Sequence, residues 1–177
     1  MVNLVAYTGV WYLYEPRLIA GGFDPRVMAY LVAGTYFIRA LGTRLDSLID
    51  RFLKPKHTPI FLALFQTIGS LLSFISNSFG AIGSVYLRKI ADGYRQPTVL
   101  AMQNNEIESK YRATSLSALS LIANLLVSLI GLLIGVGLDQ LGAPKTMGIF
   151  GILGFFVVTP LSLKLSKLTK NYALTNK

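Results

Sequence analysis

Six apolar stretches, each close to 20 residues and separated by short polar or glycine-containing breaks, occupy most of the chain. The first runs from Val2 to Ile19, with Glu15-Pro16-Arg17 near its end, and Gly21-Gly22-Phe23-Asp24-Pro25 breaks it. The second, Val27 to Leu45, contains Arg39 and leads into a charged loop from Arg44 to His57. The third, Pro59 to Ile75, ends at a tight turn, Ser76-Asn77-Ser78. The fourth, Phe79 to Met102, carries Arg88, Lys89, Asp92 and Arg95 inside it, and a second charged loop follows from Gln103 to Arg112. The fifth, Ala113 to Leu138, has no charge at all. A turn with Gly142 and Pro144 separates it from the sixth, Thr146 to Leu163, and a Lys-rich tail closes the chain. No run alternates with the period of two that a strand requires. A helix crossing the hydrocarbon layer needs roughly 20 apolar residues. The pattern therefore predicts an all-α integral membrane protein of six transmembrane helices over residues 1–166, with a basic tail at 167–177.

Composition supports the same class. Hydrophobic residues make up 53% of the 177 residues, charged residues 14%, and the mean hydropathy is +0.54. A soluble domain of this length cannot hide that much apolar surface. The net charge of +9 does not imply nucleic acid, because the cations sit between apolar runs and form no single basic stripe. There is no cysteine, which excludes disulfides and thiolate chemistry, and His57 is the only histidine, so neither metal nor cofactor is expected. The start, Met1-Val2-Asn3-Leu4, lacks the basic region of a signal peptide. Loop charge sets orientation. Arg44, Arg51, Lys54, Lys56, Lys110, Arg112, Lys164, Lys167, Lys170 and Lys177 fall on one side; Arg17, Arg26 and Lys145 fall on the other. The positive-inside rule puts both termini in the cytoplasm of a plasma (inner) membrane.

Several local patterns resemble one family. Asp46-Ser47-Leu48-Ile49-Asp50-Arg51-Phe52-Leu53-Lys54 is similar to a weakened copy of the Gly-x-Leu-Ala-Asp-Arg-x-Gly-Arg loop of the major facilitator superfamily. Asp46 and Leu53 replace its two glycines. Gly93-x-x-x-Pro97, Asn105-Glu106-Ile107 and Arg112-Ala113-Thr114-Ser115-Leu116-Ser117 resemble the tenth helix, following loop and eleventh-helix start of drug-exporter-like members. Gly131-x-x-x-Gly135-x-Gly137-x-Asp139-x-x-Gly142 resembles the end of their eleventh helix. The resemblance covers nearly the whole chain as helices seven to twelve. It implies one transporter half built of two three-helix inverted repeats, moving a small solute by alternating access. It also implies a partner N-terminal six-helix half, from the same gene or a separate chain.

The candidate chemistry follows from charge inside helices. At 100° per residue, Arg88, Asp92 and Arg95 fall within about 60° of one another, with Ser84 on that face and Lys89 and Gln96 at its edge. Asp92 is in reach of Arg88 and Arg95. Charges at mid-bilayer are costly and mark pathways or pairs; the expected role is a substrate-cavity wall, against a self-neutralising ion pair. In the first span Tyr7, Trp11, Tyr14 and Leu18 share a face, with Glu15 at its edge. That stripe suits an aromatic or cationic substrate or a membrane-interface belt, and Glu15 is a candidate proton carrier or a partner for Arg17. Arg39 is expected to snorkel or face another helix. Ser117, Ser120, Asn124 and Ser128 share a face of the fifth span and suit interhelical hydrogen bonds, and Gly131 and Gly135 permit close helix approach. Asp50 and Arg51 are candidate gating-loop residues.

Two other classes compete with this reading. Gly42-x-x-x-Asp46-x-x-x-Asp50 matches part of a CDP-alcohol phosphotransferase signature. Positions 28 to 41 hold no acid, so a divalent-metal site cannot be built and an enzyme is not expected. A non-transporting membrane scaffold is the alternative; charges inside its helices would give it nothing.

Overall fold

The computed structural model describes residues 9–44 and 58–175, and these are all-helical, with no strand among them. A 3₁₀ turn at Gly9–Leu13 runs into α1 (Tyr14–Ala20). Another, Pro25–Val27, leads into α2 (Met28–Arg44). Helix α3 (Thr58–Leu71) tightens into a last 3₁₀ turn, Leu72–Phe74. Then come α4 (Ser78–Glu106) and α5 (Arg112–Thr175). Tyr7, Asp50, Arg51 and the loop motif at 46–54 lie outside the described residues.

The breaks are written in local chemistry. After α1 the amide of Phe23 donates to Leu18 O (3.3 Å) and that of Gly22 to Ile19 O (2.9 Å), with Gly22 at φ 91°. This is the left-handed cap that glycine accepts most readily. The Arg26 amide donates to Asp24 Oδ1 at 2.8 Å, with Pro25 next to it, so the chain restarts as a capped helix. Asn77 caps α4 in the same way, its Oδ1 accepting from the Gly80 amide at 2.8 Å.

Helix α5 differs most from expectation. The fifth and sixth apolar runs form one helical element in which only Gly142, at φ 76° and ψ 164°, leaves helical geometry. A straight helix would separate Gly137 from Thr146 by about 13 Å. A Cβ placed on Gly137 would instead lie 2.7 Å from Thr146 Cγ2. The chain therefore folds back at Gly142, and α5 consists of two legs, 112–141 and 143–175. The predicted turn at 139–145 shrinks to a single residue, and the Lys-rich tail continues as helix to Thr175.

Among the described residues one helix is long and apolar enough to cross a membrane, Arg112–Leu161 of α5; Ile60–Phe74 is apolar but shorter. Length and composition thus support one crossing element where the apolar runs predicted six. The others fall short because charges interrupt α4 and because α1, α2 and α3 are brief.

Helix α4 touches every other helix and packs most heavily on α2 and α3, while α3 lies along α5. The α2–α4 seam is narrow: a Cβ on Gly42 would strike Ile90 O, and one on Gly93 would strike Arg39 O. The main core gathers Leu13, Tyr14, Leu18, Met28, Ala81, Val85, Ile134 and Met147, and a smaller one joins Ala63 to Val158.

Candidate functional site

Four charged side chains are buried among the described residues, and all four are cations: Arg17, Arg88, Lys89 and Arg95. Three of them lie on α4. Its central position in the bundle turns successive side chains toward different neighbours.

Asp92 pairs with Arg95 Nη2 at 2.5 Å, one helical turn on, as its spacing predicts. It also pairs with Arg39 Nε of α2 at 3.4 Å. The close glycine contacts hold α2 near enough for this, and Thr43 Oγ1 donates across the same seam to Gly93 O at 3.2 Å. Arg39 thus faces a neighbouring helix and an acid. Arg88, expected beside Asp92, turns toward α3 and is fully buried. Its Nη1 donates to Ser70 Oγ and to Gln66 O (3.3 Å), and Gln66 Nε2 donates back to Arg88 O at 3.3 Å. Arg95 remains under-satisfied: its Nε and Nη1 are buried with no hydrogen-bond partner among the described residues.

Lys89 is enclosed by rings. Its Nζ lies 5.8 Å from the Trp11 ring centroid, 5.1 Å from Tyr14 and 5.5 Å from Tyr36, within cation–π range. Trp11 and Tyr14 of the aromatic stripe predicted for the first span therefore lie against a lysine of the same chain. Tyr14 is buried, whereas Trp11 and Tyr36 are each 54% exposed. Tyr36 completes the cage but escapes a reading by helix faces, since it comes from a different helix. Glu15, in the first turn of α1, is exposed.

Arg17 corrects another expectation. Counted among the outer-loop charges and offered as a partner for Glu15, it is fully buried in α1. Its Nε donates to Ser73 Oγ (2.9 Å) and its Nη2 to Ile75 O (2.7 Å), closing the end of α3. The only sequence signal was its place within the first apolar run.

The polar face of α5 is also rearranged. Ser117, Ser120, Asn124 and Ser128 are exposed, and Ser128 Oγ donates within its own helix to Asn124 O at 2.9 Å. Among the described residues a Cβ added to Gly135 has no neighbour within 4 Å and one added to Gly131 meets Tyr12 at 3.8 Å, so the Gly131/Gly135 pair makes no close helix contact there. Buried Ala123, Val127 and Ile134 occupy a face about 90° from that polar stripe. Leu121, Leu125, Leu129, Leu132 and Leu133, all exposed, fill the rest of the circumference.

No protein-family model, curated protein or solved structure matches this chain.

Proposed function

We propose that this chain is a six-helix half of a secondary active transporter, lodged in the membrane and working with a second six-helix unit to move a small solute by alternating access. The observation that carries this reading is an inversion of polarity. Only 22% of the most apolar stretch of α5 is buried, while arginine and lysine side chains are packed inside the bundle. In water both features are costly. In lipid the exposed leucines face their preferred solvent, and the inward charges gain partners and water. The two legs of α5 provide two crossings, and the six helical segments are read as two three-helix repeats. The exposed stripe Ser117, Ser120, Asn124, Ser128 suits contact with a partner unit or with a wet path, since isolated polar side chains are disfavoured against lipid.

In this reading the Lys89 cage and the Asp92 cluster form the wall of the path, with Glu15 as its candidate proton carrier. A scaffold reading draws on one observation, the bonding of Arg88, Asp92 and Arg39 within the chain. Accessibility separates the two. The chain has no cysteine, so single replacements can be read without background. Trp11→Cys and Tyr36→Cys, in the native membrane, are expected to react with a charged methanethiosulfonate reagent applied from either face, whereas Leu129→Cys is inert. If the first two are inert from both faces while Glu108→Cys reacts, no path reaches the cage and the scaffold reading stands.

A further inference from the structure

Resting on the transporter reading, we infer that the solute is an anion, held through a carboxylate or phosphate group at the Lys89–Arg95 face of α4. Arg39, Lys89 and Arg95 stand around one acid, Asp92, so these four side chains carry a formal excess of two positive charges, and Arg88 adds a buried cation on the α3 side of the helix. No acid is buried alongside them among the described residues. Asp92 is already engaged by Arg39 and Arg95. Among the described residues it leaves Arg95 with two buried N–H-bearing nitrogens, Nε and Nη1, and no acceptor for either. These N–H groups diverge on either side of the engaged Nη2, so each is a separate unused donor, and a guanidinium N–H without an acceptor matches an oxyanion oxygen.

Lys89 adds a second cation on the same helix. Among the described residues its ammonium meets three π faces and no oxygen within ion-pair distance. Ring faces hold a cation without neutralising it, so the positive potential persists at the cage. The half-exposed rings of Trp11 and Tyr36 leave its rim open on one side. A cationic solute, which an aromatic stripe alone would suit, meets a cage already filled by the chain's own ammonium and repelled by three guanidinium groups.

The chain's single tryptophan, Trp11, stands at this site and reports on it. The full chain is reconstituted in phosphatidylcholine nanodiscs and its emission is titrated with sodium succinate, inorganic phosphate and tetraethylammonium chloride at constant ionic strength. Succinate or phosphate is expected to give a saturable change that tetraethylammonium does not. The half-saturating concentration should rise at least tenfold in Arg95→Gln and in Lys89→Gln, less in Arg95→Lys, and not at all in Lys110→Gln on a loop. Circular dichroism and melting temperature confirm that each variant is folded. A saturable response to tetraethylammonium alone, no saturable response to either anion in folded wild-type chain, or unchanged titrations in both glutamine variants would overturn the inference. So would phosphatidylglycerol in the discs reproducing the change while both solutes fail, which would give the site to a lipid headgroup. Each of these failures is compatible with two-sided labelling at Trp11 and Tyr36, so this inference can fall while the transporter reading stands.

Discussion

Asp92 is the residue on which the polar cluster turns. It joins Arg39 of α2 to Arg95 of its own helix, and its side chain is only 22% exposed. Removing its charge takes the carboxylate from both guanidinium groups. Asp92→Asn should therefore destabilise the chain by roughly 1.5–3 kcal/mol, the range for hydrogen bonds to charged groups; Asp139→Asn, on an exposed position, should change little. Thermal unfolding in detergent, the two variants side by side, measures the difference. Arg17 offers a second case. Each of its two bonds to the end of α3 is charge-assisted, so Arg17→Met should lower stability by roughly 1.5–3 kcal/mol while Arg26→Met, exposed at the start of α2, should not. The sequence placed Asp92 beside Arg95 because three residues make one helical turn. It could not place Arg39 against Asp92, or Tyr36 over Lys89, because those contacts depend on how closely two helices approach.

At the scale of the element, most of the helix breaks were legible: Gly21 to Pro25, Ser76 to Ser78 and the turn at Gly142 each interrupt an apolar run with residues that cap or stop a helix. What periodicity missed was how little interruption a reversal requires. Gly142 alone departs from the helix, in a region of φ and ψ essentially reserved for glycine. Gly142→Ala should cost on the order of 1–3 kcal/mol, readable as a lowered melting temperature. Gly93 answers to a different constraint, the Arg39 carbonyl that its missing Cβ admits. Gly93→Leu should force the α2–α4 seam apart at a cost of about 1–3 kcal/mol, the usual penalty of overpacking. It should also weaken the Arg39–Asp92 pair, so combined with Arg39→Gln it should lose less than the sum of the single losses. Denaturation of the four-member cycle tests this.

For the whole molecule, the apolar runs indicated a helical protein and composition indicated too much apolar surface for water. The orientation of that surface was not legible, because Leu125 and Ile134 read alike in a sequence although one is exposed and the other buried. The polar stripe of α5 was expected to make interhelical hydrogen bonds, and its side chains are exposed on the surface of this chain. The central claim is that the large apolar face of α5 meets lipid while charge is gathered inside. The most direct measurement is a nitroxide scan along α5 in reconstituted bilayers, comparing collision with oxygen and with a water-soluble nickel chelate. Labels at Leu121, Leu125, Leu129, Leu132 and Leu133 should collide strongly with oxygen and weakly with nickel, whereas Ser120, Asn124 and Ser128 should not share that lipid signature. Strong nickel collision at all of the leucine positions would put this face in water and contradict the account.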